Sequence, residues 1–81
     1  MVAKGPAAMD PNTLDITLKV HLSEMRERLD RAAGIAAAAN TCAQAGNIQK
    51  AIEIALDVEQ LVYEVETLLN SASLLHRIYK T

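Results

Sequence analysis

The 81 residues are 51% hydrophobic, 22% charged and 2% aromatic, with a net charge of -2. That is material for one small domain and leaves no room for a second core. Without an excess of positive charge the chain has no general attraction for phosphate backbones or anionic lipid, which argues against nucleic acid and membrane surfaces as partners.

Fourteen residues are Ala, two are Tyr, and there is neither Phe nor Trp. The interior must therefore be built from Ala, Leu, Ile and Val, a composition suited to closely packed helices. A chain this short buries only about 60% of the surface its unfolded form exposes, so it needs a disulfide, a metal or a partner to be stable. Cys42 is the only cysteine, which excludes an intrachain disulfide and points to a reducing compartment. The longest apolar run, Ala32 to Ala39, is far shorter than the roughly 20 residues of a bilayer span. Residues 1–9 carry no basic-then-apolar signal pattern and read as a disordered lead-in. The expected setting is a soluble, cytoplasmic protein.

Asp10 followed by Pro11 is a helix start: the Asp oxygen accepts orphan N–H groups, and Pro has none to leave unpaired. Met9 and Leu14 have the spacing of a hydrophobic staple. From there Leu14, Leu18, Leu22, Met25, Leu29, Ala32, Ala36, Ala39 and Ala43 recur at threes and fours, predicting one stripe of a long helix. Leu14, Ile16, Leu18, Val20 and Leu22 also alternate with polar residues as a strand would. A single strand has nothing to pair with in this chain, which favours helix.

At Ala45-Gly46-Asn47, Gly46 can take the left-handed conformation that closes a helix and Asn47 can cap the next. Beyond it Ile54, Leu61, Leu68 and Leu75 repeat every seven residues. Ala51, Val58, Val65, Ala72 and Tyr79 flank them on one side, and Ala55, Val62 and Leu69 on the other. This apolar arc is wide enough to meet more than one neighbour. Ile48, Ile52, Leu56 and Tyr63 stray from it near the turn, where they are expected to cover the Ala-rich end of the first helix. Opposing positions sum to about 93, which brings Arg26, Arg28 and Arg31 toward Glu64 and Glu66.

Ile16 and Val20 fall opposite the first helix's stripe, and Leu74 and Ile78 fall outside the second's arc. All four gather at the open end and are the predicted partner interface, a contact for another subunit or a partner helix.

Candidates for chemistry are few. His21 and His76 come within about two turns of each other on the sum rule, yet two histidines are too few for a structural zinc site unless a dimer supplies four ligands. Cys42 has neither a nearby His nor a helix N-terminus in its turn to make it reactive and reads as a small core residue. No Ser-His-acid spacing or phosphate-cradling loop occurs. No catalytic residue, cofactor or metal site is predicted, and the chain is expected not to be an enzyme.

The stretch Ala45-Gly46-Asn47-Ile48-Gln49-Lys50-Ala51-Ile52-Glu53 resembles the turn and second-helix start of a tetratricopeptide repeat. The resemblance covers about ten residues, has no second copy in the chain, and implies shared turn chemistry alone. In shape only, small helical hairpins also serve as co-chaperones of bacterial secretion subunits and as dimeric bundle regulators.

These features predict an all-α antiparallel two-helix hairpin over 10–81, with helices at about 11–45 and 48–79 and a turn at 45–47, pairing as a homodimer into a four-helix bundle. The function expected is protein binding by self-association. The alternatives are a small co-chaperone or adaptor that holds a helix of another protein, and a metal-binding or redox-responsive bundle resting on His21, His76 or Cys42.

Overall fold

The structure, a computed structural model, describes residues 10–80, and for Tyr79 and Lys80 the backbone only. The segment expected to be disordered, 1–9, and the staple residue Met9 lie outside the described residues. Everything described is helical apart from Asp10, the turn at 45–47 and Leu56: α1 spans Pro11–Gln44, α2 Ile48–Ala55 and α3 Asp57–Lys80. The strand alternative for residues 13–22 does not form, because α1 runs through them without a break.

Each boundary has a local cause. The Thr13 amide donates to Asp10 Oδ1 at 2.8 Å and its hydroxyl to Oδ2 at 3.0 Å, with Pro11 at the first helical position. The Thr13 amide, and then its hydroxyl, hold the Asp10 carboxyl below its ordinary pKa. At the other end Gly46 takes φ 89°. Its amide donates to the Ala43 carbonyl (3.0 Å) and the Asn47 amide to the Cys42 carbonyl (2.9 Å), the two bonds of a Schellman close. Asn47 then caps α2 by accepting from the Lys50 amide at 3.2 Å.

The second arm is bent, where the sequence predicts one continuous helix. Leu56 keeps its bond to the Ile52 carbonyl at 3.0 Å, but the Glu59 amide reaches back only three residues, to the Leu56 carbonyl at 3.1 Å. Neither Pro nor Gly causes the bend. Leu56 lies level with Ala37 on the sum rule, where α1 changes from large to small residues. The three-residue bond marks a tightened turn at this point of the arm.

α1 packs against both α2 and α3. Arg28 Nε donates to Glu64 Oε1 at 2.8 Å, and Leu14 and Leu18 share a cleft with Leu75 and His76, so the arms pass each other in opposite directions. Along α1 the buried or half-buried Leu14, Leu18, His21, Met25, Arg28, Ala32, Ile35, Ala39 and Cys42 alternate strictly by four and three, with Thr17, Glu24 and Ala43 half-buried beside them. On the second arm the matching row is Ala51, Ile54, Val58, Leu61, Val65, Leu68, Ala72 and Leu75, with Glu64 and Ile78 half-buried beside it. The register sets Ala32 against Leu61, Ala39 against Ile54 and His21 against Ala72, so a small residue faces a large one in these layers, whereas Leu18, Met25 and Ile35 meet the large Leu75, Leu68 and Val58.

This seam corrects the predicted stripe. Leu22, Leu29 and Ala36 are exposed, and His21, Arg28 and Ile35 take their places. A contact between two helices buries two rows of each, and those rows must alternate threes with fours to stay facing. Arg28 can occupy such a row because its stem packs while its guanidinium reaches Glu24 and Glu64. Ile48, Ile52, Leu56 and Tyr63 are all exposed and do not cover the Ala-rich end. Leu56 nevertheless lines a cleft with Arg31 and Ile35 of α1, and Tyr63 one with Arg28.

Candidate interaction surface

The heptads give the paired arms two unlike sides. In the strict alternation Leu14, His21, Arg28, Ile35 and Cys42 occupy position d and Leu18, Met25, Ala32 and Ala39 position a. On the second arm Ala51, Val58, Val65 and Ala72 are a, and Ile54, Leu61, Leu68 and Leu75 are d. In an antiparallel pair the g rows adjoin along one side and the e rows along the other.

The g side is polar and closed. Arg28 donates to the Glu24 carboxylate and carbonyl and to Glu64, and Gln60 donates to Glu64 Oε2 at 3.0 Å. Arg31, Asp57, Gln60 and Glu64 line one cleft on this side. The Glu64 carboxyl is held below its ordinary pKa, first by the Gln60 amide and then by Arg28, while Arg28 is pushed further up by Glu24 and then Glu64. Of the three arginines expected to meet Glu64 and Glu66, Arg28 does so directly and Arg31 acts on Glu64 through its charge. Arg26 instead closes on Asp30 at 4.0 Å.

The e side is apolar and open. Leu22 (52% exposed), Leu29 (49%), Val62 (51%) and Leu69 (52%) stand along it in two rows, one from each arm. Ala36 and Ala43 continue the first row toward the turn, and Ala55 and Ile48 the second. At the open end the same side carries the cleft shared by Asp15, Leu18, Leu75 and His76. The sequence reading missed this surface because it turned Leu22 and Leu29 inward. The signal for it is the rhythm: Leu14, Leu18 and Leu22 make two fours in a row, which no seam sustains, and the strict alternation puts Leu22 one place outside.

Of the four residues predicted as a partner interface, Ile16, Val20 and Leu74 are exposed by slightly more than half and Ile78 is half-buried. Val20 and Leu74 occupy outer positions beside the g side, Ile16 lies on the back of α1, and Ile78 lies on the g row itself. They therefore stand apart from the apolar e side.

His21 Nδ1 lies 2.9 Å from the Thr17 carbonyl, on the seam, whereas His76 is exposed on the e side. Among the described residues no three His, Cys, Asp or Glu side chains gather as metal ligands. Cys42 is half-buried at the seam level with Ala51. No described helix is long and apolar enough to cross a membrane.

No family model matches the chain, and neither the curated proteins nor the solved structures compared with it contain a match.

Proposed function

We propose that the protein is a non-enzymatic interaction module whose two arms form a hairpin that self-associates into a four-helix bundle. The observation that carries this reading is the pair of rows Leu22–Leu29 and Val62–Leu69, which stand about half exposed. Among the described residues no side chain is fully buried, so the hairpin alone buries too little for a chain of this size. A second copy supplies the missing apolar contact, as the third and fourth helices do in a bundle. Sedimentation equilibrium at micromolar concentration checks it: the expected mass is twice the 8.8 kDa of the chain. A monomer that melts cooperatively overturns it.

Ile16, Val20 and Leu74 favour a second reading, that of an adaptor or co-chaperone holding a helix of another protein. They lie away from the e side, so pairing through that side leaves them uncovered. Changing Val20 and Leu74 together to Glu tests it. Loss of a partner captured from host lysate, with the oligomeric mass unchanged, supports the second reading. Unaltered capture removes it.

A further inference from the structure

We infer that the partner covering the e side is a second copy of this chain, related by a two-fold axis parallel to the long axis of the hairpin, so that α1 of each copy lies on α3 of the other. This rests on the self-association proposed above and adds the surface, the symmetry and the register.

The edges of the e side carry the argument. Outside the Leu22–Leu29 row, along the outer flank of α1, stand Lys19 and Arg26. Outside the Val62–Leu69 row, along the outer flank of α3, stand Glu59 and Glu66. All four are exposed; Lys19 lies 3.0 Å from Asp15 and Arg26 4.0 Å from Asp30, pairs open to water that screen these charges only in part, so one apolar face is bordered by a basic edge and an acidic edge. Two copies can meet face to face by a two-fold axis in only two ways. An axis across the hairpin lays α1 on α1 and α3 on α3 with their directions reversed; centred, it sets Glu59 against the partner's Glu66, acidic on acidic, and leaves Lys19 and Arg26 facing the partner's Asn40 and the partner's Ala33, both uncharged. An axis along the hairpin exchanges the edges, and each basic flank meets an acidic one. Like charges brought together at an interface penalise the first arrangement, and complementarity selects the second.

The rows then agree in register without adjustment. A two-fold axis along the molecule allows no sliding, so each residue meets the partner at the same height as it meets its own second arm. Leu22 falls level with Leu69 of the partner subunit, Leu29 with Val62 of the partner subunit, and Ala36 with Ala55 of the partner subunit. At the open end Asp15 falls level with the partner's His76, a polar layer of matching chemistry. On the rim Arg26 falls level with the partner's Glu66. Large meets large toward the open end, and the small pair sits where both arms are built from Ala, which permits close approach. Each neighbouring pair of helices in the resulting four is antiparallel.

The test is a charge-reversal set read by sedimentation equilibrium at low salt. Arg26 and Glu66 are exposed, so reversing them leaves each hairpin folded, and circular dichroism under the same conditions verifies this. Arg26→Glu alone places like charges at both rims of the dimer and should weaken it by about tenfold in Kd. Glu66→Arg alone should do the same, and the two together should restore wild-type affinity. Leu29→Glu, on the face itself, should weaken it by on the order of a hundredfold or more. If the wild-type chain is a monomer, self-association itself fails. If it dimerises and Leu29→Glu dimerises equally well, this face is refuted while self-association stands. If Leu29→Glu breaks the dimer but single reversals leave Kd unchanged, the face stands and the axis is overturned.

Discussion

The two long sides of the molecule are built by the same heptads and end differently. On the g side Arg28 donates to Glu24 within α1, Gln60 donates to Glu64 within α3, and the Arg28–Glu64 bond joins them across the seam, with Glu24 and Glu64 half-buried. On the e side, at the same heights, stand Leu22, Leu29, Val62 and Leu69, with nothing in the hairpin to touch beyond the seam. A charged side chain can complete its interactions locally, because one opposite charge and a few donors suffice. An apolar one cannot, because its stabilisation grows with the area removed from water. The polar side is therefore finished within one chain, and the apolar side is the one on which the proposed second copy would act.

The sharpest way to break this contrast uses two adjacent residues that face different sides. Leu61 is 5% exposed at the seam and Val62 is 51% exposed on the e side. Leu61→Ala should cost about 2 to 5 kcal/mol at every protein concentration, enough to unfold most of a chain this small. Val62→Ala should cost nothing measurable in dilute solution. It should lower the melting temperature only at concentrations where the wild-type chain associates, since what it removes is contact with the partner. Melting curves over a hundredfold concentration range separate the two. A Val62→Ala deficit that does not change with concentration would place Val62 in the hairpin's own core.

Much of this arrangement is legible in the residues. The Asp10-Pro11 start, the Gly46 close, the Asn47 cap and the register all follow from local rules, because each depends on residues within one or two turns. The second arm's seam is equally plain, since its Leu and Val rows are apolar on every turn. α1 is harder to read. Its inner row contains His21 and Arg28 while Leu22 and Leu29 sit one place outside, so a search for the most apolar stripe selects the wrong neighbours. Apolarity says which side chains seek burial but not which partner will bury them, and Leu22 and Leu29 are left about half exposed by their own second arm. The bend at Leu56 has no Pro or Gly to mark it in the sequence.

A smaller effect sharpens the comparison at the turn, where the two sides meet. Gly46 holds φ 89°, and a Cβ added there meets no atom within 4 Å. The cost of Gly46→Ala is then backbone strain alone, about 1 kcal/mol, with no packing penalty. Gly46→Asn should cost less, because Asn tolerates the left-handed region better than Ala does. Both variants should keep the wild-type oligomeric mass, since the turn carries neither side's contacts. Thermal melts give the order Gly, then Asn, then Ala. An equal loss for Asn and Ala would mean that something other than the backbone angle is disturbed.

The weakest effect belongs to the polar side and is read by acid. Glu64 has its pKa lowered by Gln60 and by Arg28, so the unfolded chain binds this proton more tightly than the folded one. Its stabilising contribution is complete above the ordinary value of 4.5 and is lost as pH falls through that value toward the lowered one. The wild-type melting temperature should accordingly decline between roughly pH 5 and 3 more steeply than that of Glu64→Gln, which has no proton to take up at this position. Because Glu64 and Arg28 are partly open to water, the difference between the two slopes should be small and should shrink further in high salt. The e side has no such group at its centre, so Leu22, Leu29, Val62 and Leu69 should respond to acid only through their charged rim. Parallel slopes for wild type and Glu64→Gln would show that the polar side is held by seam packing alone and that its charges merely select the register.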